Sequence, residues 1–295
     1  MLNQKSFWET FPDSIRKLAV FAEHARASNY QIPLLSKAQS GNFDQARAYH
    51  VAAAIRQLRE MNGEVVAGRK IGFSNKALWP KYGVTESNWS YVYESTVVDL
   101  PDKSELAEGK VLMANISHLN ALEPRIEPEI IFGLKKPVEA GMSSSEILGC
   151  IDWVSHGFEI VQSIFPHWKF TAVDCTAAFA LHGLLLVGPK QSLSSPGFKG
   201  DGTLESLKDF KVELSRNGEK VEEGNGSNVL GSPIEALKHL AELLAKDEHN
   251  KPLDAGEVVT TGTLTNAYPI RDGELWSTKI SGIDLPGLDV TFKLN

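Results

Sequence analysis

A chain of 295 residues with 42% hydrophobic and 23% charged residues has ample material for a buried core, which excludes a wholly disordered polypeptide. Its formal net charge of -7, without a dense Lys/Arg run, argues against a nucleic-acid partner, because phosphate backbones are held by counterion-releasing basic patches. The longest apolar runs fall far short of the roughly 20 residues a membrane-spanning helix needs, and no basic segment leads into an apolar stretch at the start, so neither membrane nor secretion is expected and the cytoplasm is the expected location.

Taken in chain order, two helices open the sequence. Asp13 is the expected cap of the first, whose apolar stripe is Ile15, Leu18, Ala19, Ala22 and Ala25. The second is predicted over residues 43–61, with Tyr49, Ala52, Ala53 and Arg56 along one side, ending at Asn62-Gly63. A helical N-terminal region, 1–63, is therefore expected before a β-rich catalytic domain, 64–295. In the latter, EVVAGRKIGF, SYVYESTVVDL, EPEIIFGL and HGLLLVG read as short strands between Gly, Pro, Ser and Asn.

Three helices are predicted to interrupt the strands. One starts at Ser144 or Ser145 and carries Ile147, Leu148, Ile151 and Val154 on one face. Another is capped by Asp174 and ends before Gly183, with His182 near its C-terminus. The third begins at Ser232-Pro233-Ile234-Glu235, an N-cap, a proline at N1 and a reciprocal acid at N3. The Ser/Gly/Lys/Glu-rich stretch 191–226 reads as a surface hairpin without chemistry. Cys150 and Cys175 have neither metal nor redox spacing and are expected as buried thiols.

Chemistry concentrates in four places. In EPRIEPEIIF, 123–132, a strand's period of two sets Arg125, Glu127 and Glu129 on one face and Ile126, Ile130 and Phe132 on the other. Adjacent carboxylates raise each other's pKa unless a cation lies between them, so the pair reads as a hard-metal site, a proton-sharing dyad or a solvated strand face. Glu159, inside the otherwise apolar GFEIV, needs a partner, either a metal shared with the first pair or a Lys/Arg ion pair. Three carboxylates suit Mg²⁺ or Mn²⁺ better than zinc. Lys70 lies between Gly68 and Gly72, which leave its face open for a ligand; the alternative is an edge-strand lysine in water. The Gly/Thr-rich turn in AGEVVTTGTLTNAY, 255–268, offers N–H groups and hydroxyls to a carboxylate, or is a plain turn. Ser74, Gly262 and Thr263 are the candidate substrate contacts. His118, His156, His167 and His182 show no paired metal spacing and are read as structural.

Together with Ala48-Tyr49, Lys70-Ile71-Gly72, PRIEPE at 124–129, Glu159-Ile160-Val161 with Ser163, residues 168–174, Val229-Leu230-Gly231 with Pro233, and 255–262, the stretch 43–293 resembles the 2-keto-4-pentenoate hydratase and 4-oxalocrotonate decarboxylase family of the fumarylacetoacetate hydrolase-like superfamily. The resemblance implies an α+β fold with a mixed β-roll or sandwich and a homo-oligomer. It implies Glu127, Glu129 and Glu159 as Mg²⁺ or Mn²⁺ ligands, Lys70 as acid/base or substrate contact, and Asp174 and Glu94 as weaker acid/base candidates. The implied activity is a metal-dependent lyase, hydratase-like, acting on a 2-oxo or 2-hydroxy-dienoic acid through an enolate. Decarboxylation of a vinylogous oxo diacid and C–C hydrolysis of an acylpyruvate share that enolate, and a non-hydrating binding or biosynthetic scaffold is the reading of another class. Ala177-Ala178-Phe179 stands where relatives often read Ala-Asp-Asn, Glu94-Ser95 at a common acidic pair and Ser232 at a frequent histidine. These departures point to an apolar or differently shaped substrate, or to a reaction other than simple hydration.

Overall fold

The computed structural model describes residues 7–38, 42–102, 110–195, 198 and 202–295. Helix α1, Asp13–Ala27, buries the predicted stripe Ile15, Leu18, Ala19, Ala22 and Ala25. Its N-cap is Pro12 rather than Asp13, which instead pairs with Lys17 at 2.7 Å within the first helical turn. Helix α2, Gln45–Met61, starts two residues later than expected, because Asp44 accepts a 2.9 Å hydrogen bond from the Arg47 N–H and caps it. Tyr49 on α2 stacks on Trp89, with ring centres 5.4 Å apart.

Strands β1 (Val66–Gly72), β2 (Asn88–Tyr93), β3 (Val97–Asp99), β5 (Arg125–Leu134), β6 (Ile151–Val161), β7 (His182–Val187) and β11 (Val258–Thr260) form the path β2-β1-β11-β5-β6-β7-β3 of a mixed nine-stranded sheet. Two short strands, β8 (Gln191–Ser192) and β12 (Tyr268–Pro269), pair with β6 and β5. A second sheet of five strands runs β10-β9-β13-β14-β4, made from β4 (Leu112–Asn115), β9 (Lys211–Arg216), β10 (Glu219–Asn225), β13 (Leu275–Ser281) and β14 (Asp289–Lys293). The predicted hairpin in 191–226 is β9 with β10; residues 196–197 and 199–201 of that stretch lie outside the described residues.

The alternation in EPRIEPEIIF decides how the sheets stack. Ile126 on β5 and Phe158 and Ile160 on β6 pack against Leu214, Trp276, Val290 and Phe292 of the second sheet. The opposite face of β5 and β6 is left for the acidic residues. Ile71, Ile130 and Phe132 pack instead against Ile234, Leu237, Leu240 and Leu244 of helix Pro233–Leu244. Ser232 caps that helix, accepting from the Ile234 N–H, but Glu235 does not close a reciprocal box, because its carboxylate accepts from the Ser144 hydroxyl at 2.6 Å.

Two other helices are shorter than the apolar spacing predicts. Ser143 caps Ser144–Leu148, and Ile151 and Val154 already belong to β6. Thr171, not Asp174, caps Ala172–Ala177, and the chain then enters a left-handed turn at Phe179, Ala180 and Leu181, with φ of 61°, 44° and 65°. The N-terminal helices share one apolar core with Leu122, Ile164, Phe165 and Phe179, so they are seated on this same segment. Both cysteines are buried thiols. Among the described residues no helix is long and apolar enough to cross a membrane.

Candidate metal centre and substrate cavity

The pairing of β5 with β6 sets Glu127 directly opposite Glu159, and Glu129 opposite Gly157. Directly opposed residues point to the same face, so three carboxylates from two strands converge. One oxygen from each of Glu127, Glu129 and Glu159 lies within 4.8 Å of the others. Glu129 and Glu159 are fully buried, while Glu127 is half-buried and lines the adjoining cavity.

The cluster is braced from three sides. Glu129 Oε2 accepts from the Gly262 N–H at 2.7 Å and from the Thr260 hydroxyl. Gly262 has a φ of +107°, and a Cβ there would sit 1.8 Å from Ser74 Oγ, so only glycine brings this N–H to the carboxylate. Glu159 Oε1 lies 2.8 Å from His182 Nδ1, whose Nε2 lies 2.8 Å from Thr96 Oγ1. Below Glu129, the buried His156 ring bridges the Glu129 carbonyl at 3.0 Å and Thr278 Oγ1 at 2.8 Å.

Lys70 supplies the positive charge. Its Nζ stands 3.1 Å from Glu159 Oε2 and donates to the Ala180 carbonyl at 3.0 Å. The strand lies inside the sheet, between β2 and β11, so Lys70 is 3% exposed rather than an edge lysine in water. A side chain at Gly72 would collide with Asn88 Oδ1 at 2.3 Å, on the side where the ammonium lies.

One lysine does not neutralise three acids, and the proton affinities record the imbalance. Burial pushes Glu127 up to about 7, against the pull of Lys70, and the Glu159 charge adds to the rise. Burial and the charges of Glu159 and Glu127 lift Glu129 well above the usual carboxylate range. Burial also acts to raise Glu159, yet Lys70 and the His182 hydrogen bond outweigh it and hold Glu159 below its ordinary value. Lys70 is held above its usual value because the three glutamates overcome its burial.

Two buried carboxylate oxygens, Glu129 Oε1 and Glu159 Oε2, have no hydrogen-bond partner among the described residues, although the second has Lys70 in ion-pair range. An orphaned carboxylate oxygen on Glu129, mutual proximity and an all-oxygen donor set fit a hard divalent cation.

Above the cluster opens a cavity of about 320 Å³. Lys70, Ser74, Asn88, Glu127 and Thr263 lie on its walls, and the buried Ser74 Oγ and Asn88 Oδ1 have no partner among the described residues. Thr263 spends its hydroxyl on the Thr265 carbonyl at 2.9 Å. Two sequence candidates are not brought here. Asp174 is buried, but its oxygens are taken by the Ser36 N–H at 2.8 Å, the Ser36 hydroxyl at 2.9 Å and Thr171; it ties the N-terminal region to the cavity wall. Glu94 is exposed beyond the end of β2 where Tyr93 pairs with Val66, whereas the cavity lies at the Asn88–Gly72 end.

Residues 89–287 match the family model described as fumarylacetoacetate (FAA) hydrolase C-terminal, two thirds of the chain. The chain belongs to this family. Within the fumarylacetoacetate hydrolase family it is similar to the 2-hydroxyhexa-2,4-dienoate hydratase of Comamonas testosteroni, 30% identical over 245 residues that make up 83% of this chain and 85% of the relative. It is similar also to the 4-oxalocrotonate decarboxylase of Pseudomonas sp. (strain CF600), 27% identical over 92% of this chain and 94% of that protein. Among solved structures, 4-oxalocrotonate decarboxylase from Pseudomonas putida G7, complexed with magnesium and adipate, superimposes with a TM-score of 0.80, 26% identity and coverage of 94% of this chain and 97% of that one. The mixed-sheet α+β architecture is the fumarylacetoacetate hydrolase fold.

Parts of this candidate site escaped the sequence reading. His182 looked like a helix C-terminal residue because 172–181 is apolar and helix-compatible; the left-handed turn instead makes it the first residue of β7, beside Glu159. Thr260 was legible only as part of a Thr/Gly-rich turn, and the Ala180 carbonyl carries no side-chain signal at all.

Proposed function

We propose that this chain is a divalent-metal-dependent lyase that acts on a 2-oxo or 2-hydroxy-dienoic acid through an enolate. The observation that carries the reading is the convergence of Glu127, Glu129 and Glu159, with Glu129 Oε1 left without a partner among the described residues, under a cavity that also holds the Lys70 ammonium. Glu127, Glu129 and Glu159 would hold Mg²⁺ or Mn²⁺, and such a cation supplies Lewis-acid stabilisation of the charge that develops when a 2-oxo acid loses its C3 proton.

The chain's own residues do the rest. Lys70 offsets the negative charge of a carboxylate substrate beside an acid cluster that already exceeds it in charge. Ser74 Oγ and Asn88 Oδ1, both buried and unsatisfied, face the cavity as polar contacts for the acid end or for water. Among the groups lining the cavity that are not assigned to the metal, Lys70 can carry a proton to or from the substrate. Asp174 and Glu94 have no part in this scheme.

The relatives named above include both a hydratase and a decarboxylase, so decarboxylation of a vinylogous oxo diacid is the second reading. C–C hydrolysis of an acylpyruvate uses the same enolate. A metal-binding scaffold without turnover is the reading of another class. We further propose a cytoplasmic homo-oligomer; the exposed Met113 on β4, an edge strand of the second sheet, and Val111 just before it, 63% and 40% accessible, support burial against another copy.

The test is a metal-supplemented assay over dienols, oxo diacids and acylpyruvates, followed by enol absorbance and product mass. Mg²⁺- or Mn²⁺-dependent hydration of a 2-hydroxy-2,4-dienoate is the expected result. Metal binding without turnover on any of the three classes would favour the scaffold.

A further inference from the structure

The cavity is polar at one end and aromatic at the other. Lys70, Ser74 and Asn88 gather over the glutamates, whereas Phe73, Tyr82, Trp168, Phe170 and Leu78 wall the far side. These aromatics form a connected wall: Phe73 to Tyr82 at 5.6 Å, Tyr82 stacked on Phe170 at 6.2 Å, and Phe170 to Trp168 at 6.1 Å between ring centres. The wall is fixed rather than adaptable. The Trp168 indole donates to the Glu123 carbonyl at 2.9 Å, and Phe73 and Trp168 are held at φ of 53° and 56°, a conformation that side-chain-bearing residues adopt at an energetic cost.

No charged side chain lines that end among the described residues. Lys70 is the one cation among the described lining residues, and it is already engaged by Glu159 and the Ala180 carbonyl. Arg125, on the same strand face as Glu127, holds its guanidinium 3.9 Å from the Trp168 ring centre and within electrostatic reach of Tyr82 and Glu127, but it is not among the residues that line the cavity. The polar groups of Asn266 and Tyr268 are bound to Glu222 at 3.0 and 2.9 Å. A second carboxylate placed there would lose its hydration without gaining a lining cation as partner.

We propose that the cavity takes a 2-oxo acid whose far end is an apolar group, aryl or branched alkyl, and that it disfavours an oxo diacid. The proposal rests on the metal-chelate reading given above and narrows it to a substrate class.

The experiment measures binding, not turnover. The Mg²⁺-loaded chain is titrated by calorimetry with 2-oxobutanoate, 4-phenyl-2-oxobutanoate and 2-oxoadipate. Burying a phenyl ring against the wall should tighten binding about 30-fold over 2-oxobutanoate. The diacid should bind no better than 2-oxobutanoate. Phe170→Ala should weaken the phenyl compound about tenfold and leave 2-oxobutanoate unchanged. Because Phe170 also packs toward the N-terminal core, Leu78→Arg at a half-buried lining position serves as a second variant, and it should raise the affinity for 2-oxoadipate about tenfold. Tightest binding of the diacid by the unaltered chain, or equal binding of all three acids, overturns this proposal alone. No binding of any of them overturns the metal-chelate reading as well.

Discussion

Glu127 and Glu159 face each other across the antiparallel pairing of β5 and β6, one half-open to a cavity and the other fully buried against Lys70 and His182. Two like charges in that position are tolerable only with a proton or a cation between them, and this competition organises the behaviour expected of the molecule.

Glu129→Gln removes one charge while keeping an oxygen that can accept from Gly262 and Thr260. Metal-dependent turnover should fall at least about 100-fold, since loss of outer partners alone costs 10- to 100-fold at metal sites. Circular dichroism and oligomer size should be unchanged. Full turnover by this variant would falsify the ligand assignment.

Metal affinity should depend on pH. A proton occupies Glu127 in the metal-free folded chain up to about pH 7, so Mg²⁺ must displace it. Apparent affinity measured by calorimetry should rise with pH through about 7, with proton release on binding at pH 6. The sign for stability is opposite. An unfolded glutamate titrates lower, so the stabilisation this group gives the metal-free fold is present at low pH and lost as pH rises through about 7. An affinity independent of pH between 5.5 and 8 would contradict the assignment of that proton.

Lys70→Met should separate two roles of the ammonium. With its partner Glu159 fully buried, removal of one member of the pair should destabilise the metal-free chain by about 3–5 kcal/mol in urea unfolding. Added Mg²⁺ should restore part of that loss, because the cation then compensates the acids, while turnover stays depressed. A variant as stable as the parent without metal would show that the ammonium is not compensating the cluster.

His182→Phe should lower metal affinity about 10- to 100-fold, as expected when an orienting partner of a ligand is lost. Thr96→Val, which loses the contact to the far nitrogen of the ring together with the hydroxyl's bonds to the Tyr93 backbone, should have a smaller effect in the same direction. Equal affinities for parent and His182→Phe would make the histidine a packing residue only.

Much of this was legible in the sequence, for identifiable reasons. The alternation of EPRIEPEIIF fixed which residues of β5 face the second sheet and which face the cavity, since a strand's period leaves no choice once Ile126 is buried. The helix at Ser232 announced itself through local chemistry. What failed was chemistry decided by distant partners. Glu235 reached Ser144 instead of its own N-terminus, and Asp174 bonded to Ser36, far earlier in the chain. Glu94 carried a positional likeness, but the pairing of β2 with β1 sets it at the wrong end of the strand. The position of His182 followed from three consecutive left-handed residues without glycine, a conformation that local propensity disfavours.

The seat of the N-terminal helices on the 164–179 segment reaches further than packing. Asp174 grips Ser36 on one side while Ala180, a few residues on, presents its carbonyl to Lys70. The opening stretch of the polypeptide thus acts as a clasp on the strained turn that aims the ammonium. A fragment begun at residue 64 would keep every acidic residue of the cluster and lose the tension that holds its counter-charge in place.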